Sequence, residues 1–363
     1  MFLWPALVVA VGCGAVILWQ HVRQGGSSVR PVPAQEPLIF QSSPAGVMGT
    51  EVHLTAVAPP GQEKKAARAL EEAEAVLRDV EAHMSTWLSG TELSLLNSAP
   101  AGEVVELSEP TMEVLRLARR LATESDGAFD VTCRPIIELW KQAGKDNRLP
   151  GDQEIAQARQ ATGWQHIELL ERGARKKIAQ AGVDLGGIAK GYSSDQAAEA
   201  MKATGIASGI VAVAGDIRCF GRGADGGKWR VAIRDPFHTD QTLATLEVGE
   251  MGVSTSGNYF RFVRIAGKPY SHIVDPRTGR PVDFAPSVTV IASTATLADA
   301  WATGLSVLGH EGLKRIGGKT GIEALVFEGG SDDYKLYATE GFADFLAEGE
   351  KLPKPVTIVP AAK

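Results

Sequence analysis

Two stretches of this chain place oxygen-bearing and charged side chains at spacings that suit chemistry. The first is Ala285 to Gly309, whose one charged residue is Asp299. Asp299 and Thr303 are four apart, so on a helix they share one face. Ala298, Ala300, Ala302 and Gly304 around them are small and let other backbone come close. A lone carboxylate in apolar company needs a partner, because an unpaired buried charge is costly. Two chemistries answer that need: a salt bridge to an Arg or Lys elsewhere, or a hard cation such as Mg²⁺ held by carboxylate and hydroxyl oxygens. The second stretch is Val183 to Tyr192, VDLGGIAKGY. Glycines at a strand-to-helix corner let main-chain N–H groups face an anion, and Lys190 adds a positive charge. The spacing is not that of a P-loop, and a plain corner needing small residues has the same pattern.

Three further spots carry candidate groups. Asp130 follows Gly127-Ala-Phe and reads equally as a turn carboxylate. Ala214-Gly-Asp216 ends a buried strand. His272, in SHIVDPRTG, would project from a strand just before a tight turn marked by Asp-Pro and Thr-Gly. A lone histidine is more often a hydrogen-bonded core residue than a base.

The elements that must position these groups can be read in outline. Ser287–Ala292 is β-branched and predicts a strand. Ser293, Thr294 or Thr296 can cap the helix after it, with Leu297, Trp301, Leu305 and Leu308 as its buried stripe. Glu51 to Ala56 alternates like a strand. Gln62 to Met84 predicts a long amphipathic helix buried along Ala66, Leu70, Ala73, Leu77, Val80 and Met84. Leu88 to Asn97 reads as a loop with a helical turn. Ser108 caps a helix with Pro110 in its first turn that runs to about Ser125, stopped by Gly127. A short helix follows Pro150. Gln165–Leu170 and Lys177–Leu185 read as strands around a charged turn, Glu171 to Arg175. The glycine corner leads into a helix from Ser193 or Ser194. Ile210–Ile217, Trp229–Pro236 and Met251–Asn258 read as strands. The strands and helices show no regular βα alternation, which predicts an α+β fold with mixed and antiparallel sheets and packed helices.

The 363 residues carry a net charge of −6, with no basic block, so nothing points to nucleic acid. Cys13, Cys133 and Cys219 lack metal-type spacing. Phe2 to Trp19 is uncharged and of bilayer-spanning length, and no Lys or Arg precedes it. We expect an uncleaved anchor over residues 1–23 rather than a lipoprotein processed at Cys13. A linker rich in Gly, Ser and Pro spans 24–45, the folded body 46–347, and a proline-containing tail 348–363. Arg23 and Arg30 after the span weigh towards a cytoplasmic C-terminal side.

The ordered set of motifs resembles the FAD:protein FMN transferases, the ApbE family. It comprises Met48-Gly-Thr50, Ser85-Thr-Trp87, Gly127 to Asp130, Asp184 to Tyr192, Ala214-Gly-Asp216, Ser254-Thr-Ser-Gly257, His272 to Pro276 with Thr278-Gly279, and Ala298 to Thr303. That resemblance covers Gly46 to Gly341. It implies a Mg²⁺-dependent enzyme that cleaves FAD and joins FMN through its phosphate to a Ser or Thr of a target redox protein, releasing AMP. It implies Mg²⁺ on Asp299, Thr303 and the Gly187 carbonyl, and FAD against Met48, Trp87, Ala128, Phe129, Asp130, Asp184, Lys190 and Val274. Trp87 stands where a tyrosine is frequent. His272 and Lys190 are the implied catalytic groups. The family usually works at the outer side of a bacterial inner membrane on membrane-anchored partners. The alternatives are a Mg²⁺-dependent FAD pyrophosphatase, or an FAD-binding protein without activity.

Overall fold

The computed structural model describes residues 9–11, 15–17, 36–257, 262–317 and 320–362. The anchor and linker expectations fall almost wholly outside these residues. Of the anchor, only Val9–Val11 and Ala15–Ile17 are described, as two short paired strands. Among the described residues no helix is long and apolar enough to cross a membrane.

The described chain is α+β. Its centre is a nine-stranded sheet, in the order Val356–Ile358, Lys335–Ala338, Glu323–Glu328, Ser287–Ala292, Gly252–Gly257, Asp216–Phe220, Ser208–Val213, Val52–Ala58 and Leu38–Ser42. Neighbours pair antiparallel except the first two, which are parallel, so the proline-containing end adds a short edge strand. The middle strands are buried along their whole length. Alternate residues explain this: Ile210 and Ala212 join the apolar cluster around Trp229 and Leu246, while Val211 and Val213 join the cluster under the long helix. A sheet covered on both faces needs continuous apolar strands rather than alternation.

Seven α-helices are described: α1 Glu63–Met84, α2 Glu92–Ser98, α3 Glu109–Glu124, α4 Arg134–Asp146, α5 Asp152–Gln160, α6 Ala189–Ala203 and α7 Ala295–Leu308. Helix α1 buries the expected stripe, with Ala69 added. Helix α3 begins at Ser108, whose hydroxyl accepts from Thr111 N, and Gly127 at φ +72 turns the chain beyond it. Helix α6 packs between α1 and α7, and it joins the two stretches singled out above.

Several expectations need correction. Leu88 to Asn97 is not mainly loop: Thr91 accepts from Ser94 N at 3.0 Å and starts α2. Helix α4 has no counterpart among the expected elements, although Ile136, Trp140 and Ala143 mark its buried side. The second strand expected over Lys177–Leu185 lies instead at Gly173–Lys176, inside the stretch read as a charged turn. There Arg175 pairs with Glu168 across the ladder at 2.9 Å, so the charges form a cross-strand pair rather than a turn. Helix α6 starts at Ala189, not at Ser193 or Ser194. Both serine hydroxyls donate back to the Lys190 carbonyl, at 2.7 and 3.0 Å, from inside the helix. Ile210–Ile217 is two strands joined at Ala214, which adopts φ +54. Cys133 and Cys219 are free thiols.

Candidate active site

The glycine corner and the late helix meet. A Cβ on Gly187 would stand 2.9 Å from Thr303 Oγ1, and a Cβ on Gly191 would stand 2.3 Å from the Ala295 carbonyl and 2.9 Å from Asp299 Cβ. Only glycine permits this approach at Gly191 without pushing α6 and α7 apart. Across the contact, Gly191 N donates to Asp299 Oδ2 at 3.1 Å.

Lys190 is the hub. Its Nζ lies 2.8 Å from Asp216 Oδ2 and 3.1 Å from Asp299 Oδ2, and it donates to the Gly186 carbonyl at 3.1 Å. The salt bridge offered as one answer for Asp299 therefore exists. It is shared: Asp299 and Asp216, 2% and 3% exposed, both lean on one ammonium. Burial opposes the charge of Lys190, but Asp216 and Asp299 outweigh it and hold its pKa above the ordinary value. Burial, then the charge of Asp216, pushes the Asp299 carboxyl up, against the pull of Lys190 and the Gly191 N–H. Two carboxylates facing one cation leave an excess of negative charge in a place that water reaches poorly.

That excess bears on the cation question. Among the described residues no three His, Cys, Asp or Glu side chains converge as metal ligands. The donors present are instead two carboxylates, the Thr303 hydroxyl and the Gly187 main chain that lies against it. An all-oxygen set with surplus negative charge fits a hard divalent cation better than a soft one.

Other residues hold this arrangement. Asp195 on α6 accepts from Ala295 N and Thr296 N, both at 2.9 Å, and from Thr296 Oγ1 at 2.5 Å, so it caps α7 from a neighbouring helix. Thr294 caps the same end from within. Arg218 stands behind, with Nε 3.5 Å from Asp195 and Nη1 donating to the Ser293 carbonyl at 2.6 Å. Ser254 Oγ donates to Asp216 Oδ1 at 2.5 Å. Tyr192 OH donates to Glu113 on α3 at 3.1 Å. Asp195, Arg218 and the pairing role of Asp216 were missed as site residues. The Gly-Asp at a strand end was a visible signal for Asp216. Nothing in the local pattern marks Asp195 or Arg218.

The remaining candidates are spread over several apolar clusters and turns. Phe129 packs on α7, its Cβ 3.3 Å from where a Gly304 Cβ would stand, next to Thr303. Asp130 Oδ1 accepts from Thr132 N and Oγ1 at 2.8 and 2.7 Å, capping a short turn, and burial raises its pKa. Asp184 N donates to the Val131 carbonyl at 2.8 Å. Asp184 Oδ1 accepts from Gly186 N at 2.9 Å. Thr86 donates to Asp184 Oδ2 at 3.4 Å, next to Trp87, whose side chain is 81% exposed. Met48 adopts φ +54 between two apolar clusters. Ala128 is buried beside Ile273, and Val274 is buried with Ile136 and Trp140. His272 is exposed at the bend between Lys268–Ser271 and Val274–Asp275, outside either strand, where a strand position was expected. A cleft of about 420 Å³ opens beside Asp130, lined also by Gly127, Arg159, Gln165 and Arg277.

Comparison with known proteins identifies the family. The model of the ApbE family matches residues 48–326. The FAD:protein FMN transferase of Vibrio cholerae is 33% identical over 306 residues, spanning 83% of this chain and 91% of that one. That of Escherichia coli strain K12 is 32% identical over 271 residues, 72% of this chain and 77% of the other. Among solved structures, the flavin transferase ApbE from Vibrio cholerae superposes with a TM-score of 0.74 at 32% identity, covering 85% of this chain and 100% of that one. The ApbE protein from Thermotoga maritima gives 0.76 at 27% identity, over 86% and 100%. With most of its length matched by the family model and its fold shared with solved members, this chain belongs to the ApbE family.

Proposed function

We propose that this protein transfers FMN from FAD to a Ser or Thr hydroxyl of a target redox protein, with AMP as the leaving group. The observation that carries the reading is the convergence of Gly187, Lys190, Asp299 and Thr303, from segments over a hundred residues apart, into one oxygen-rich and negatively charged corner. In the reaction, the acceptor hydroxyl oxygen bonds to the flavin-side phosphorus of the diphosphate. The bond from that phosphorus to the bridging oxygen breaks, and its electron pair leaves with AMP. Asp299, Thr303 and the Gly187 carbonyl would hold Mg²⁺, which when bound neutralises charge on the diphosphate.

The chain's own groups do the rest. Gly191 N and Lys190 keep the Asp299 carboxylate oriented. The Lys190 ammonium, held charged by two carboxylates, adds fixed positive potential where charge develops. Met48, Trp87, Ala128, Phe129, Asp130, Asp184, Lys190 and Val274 bind FAD. A hydroxyl is a poor nucleophile near neutral pH, and His272 takes its proton.

We also propose that residues 1–23 anchor the chain in a bacterial inner membrane with the catalytic domain outside. The uncharged run Phe2 to Trp19 supports an anchor, and protease accessibility in spheroplasts tests the side.

The deciding experiment mixes the full chain with FAD, Mg²⁺ and an acceptor domain, then follows flavin fluorescence through denaturing electrophoresis. A fluorescent acceptor band is expected. Free FMN and AMP with no labelled band would assign a pyrophosphatase instead, and intact bound FAD a binding protein.

A further inference from the structure

Helices α6 and α7 grip each other at two heights. Gly191 and Asp195 are four apart on α6, and Ala295 and Asp299 are four apart on α7, so each pair shares one face of its helix. At one height Gly191 N donates to Asp299 Oδ2 at 3.1 Å. One turn away, Asp195 accepts from Ala295 N, Thr296 N and Thr296 Oγ1. The strand Asp216–Phe220 backs both grips. Asp216 and Arg218 are two apart, so they leave that strand on one face. Asp216 pairs with Lys190 at 2.8 Å and Arg218 with Asp195 at 3.5 Å, with the signs reversed. Lys190 in turn meets Asp299, and Asp195 meets the first turn of the same helix.

The second grip does what an ordinary cap does not. Thr294 Oγ1 accepts from Leu297 N at 3.2 Å, which satisfies a donor of α7 wherever that helix lies. Asp195 satisfies two main-chain donors only while α7 lies against α6. Its charge suits the positive end of the helix. The Arg218 side chain, 9% exposed, is itself fixed by donating to the Ser293 carbonyl at 2.6 Å. Arg218 therefore holds both Asp195 and the chain entering α7. Asp299 lies about one turn beyond Ala295 and Thr303 about two. A slide or rotation of α7 would carry both away from Gly187, which leads into α6.

We propose that Asp195, braced by Arg218, is a positioning residue for the divalent cation: it fixes α7 against α6 so that Asp299 and Thr303 stand opposite Gly187. The proposal rests on the function given above and adds to its cation ligands the pair that aims them. Removing a group that orients a metal ligand lowers metal affinity by about ten- to a hundredfold.

The test is equilibrium binding of ADP by the full chain, in chelator and at graded Mg²⁺. ADP brings a diphosphate but no flavin to transfer, so turnover plays no part. Three proteins are compared, the parent, Asp195→Asn and Thr294→Ala, with thermal midpoints recorded. Asp195→Asn keeps the shape but loses the charge and one acceptor. Its affinity for ADP in chelator should match the parent, while the Mg²⁺ concentration giving half the effect on ADP binding should rise about tenfold. Arg218→Met should raise it in the same direction. Thr294→Ala should lower the thermal midpoint, as a lost cap does, and leave the Mg²⁺ half-effect where it was. An unchanged half-effect in Asp195→Asn would overturn the proposal. So would an equal rise in Thr294→Ala, since any loosening of the helix start would then suffice. If Asp195→Asn does not fold, Asp195→Glu keeps the charge and displaces the grip by one methylene, and the same reading decides. A parent protein whose ADP binding ignores Mg²⁺ would remove the cation site of the proposed function and this proposal with it. A parent that responds, with an Asp195→Asn that responds equally, would remove the proposal alone.

Discussion

The interior corner around Lys190 and the outer rim around Trp87, two parts of the proposed site, are built by opposite means. In the corner, two buried carboxylates converge between α6, α7 and the sheet on the partly exposed Lys190, and Asp299 accepts from both Lys190 and Gly191. At the rim, Trp87 sits in a short connection between α1 and α2 with most of its ring in water. The corner is pre-organised because misplacing a buried charge costs stability directly. The rim has little of the fold resting on it, so its residues can serve binding alone. Stability and affinity should therefore separate between the two regions.

Lys190→Met should show the largest effect. It leaves Asp216 and Asp299 facing each other, buried and without their cation, and should cost about 3–5 kcal/mol. The urea midpoint reads this, and adding Asp299→Asn should restore much of the loss. If the double variant is no more stable than the single one, the corner is not the coupled unit described. Asp299→Ala alone should behave differently. Lys190 and Asp216 remain a balanced pair, so stability should hold, while labelling of the acceptor should fall on the order of a hundred- to a thousandfold. FAD binding in chelator should persist. Full-rate labelling by this variant would place the cation elsewhere.

Asp195→Ala tests the cap supplied by α6. Losing it should cost about 1–2 kcal/mol, the range for a helix cap, seen as a lower thermal midpoint. At the rim, Trp87→Ala should leave stability within about 0.5 kcal/mol, as for exposed positions. It should still weaken FAD binding by roughly tenfold, since a stacked base is worth about 1–3 kcal/mol. A large loss of stability from Trp87→Ala would erase the contrast between the two regions.

What could be read from the residues follows the range of the forces involved. Periodicity marked α1, because a helix buries one stripe against whatever covers it; α7 is a helix as expected but is buried nearly all round, and Leu297 and Leu308 of its expected stripe are only partly buried. Caps and stops marked α3, since Ser108 and Gly127 act within a turn. The β-branched run marked Ser287–Ala292. The ordered motifs identified the candidate corner, and the isolation of Asp299 in apolar sequence posed the question of its partner. Local reading failed where partners are remote. Gly173–Lys176 is a strand because Val104–Glu106 and Ile167–Leu169 flank it, not because of its own composition. Ser193 and Ser194 imitate a helix start but bond backwards inside α6.

Tertiary structure alone decided how the charges are shared. That Lys190 serves Asp216 and Asp299 together, that Asp195 caps α7 across a gap of a hundred residues, and that Arg134 approaches Asp184 are results of packing. A sequence states which groups must find partners, because desolvation is a property of each residue. Which partner each one meets depends on distances set only when the sheet and helices close around them.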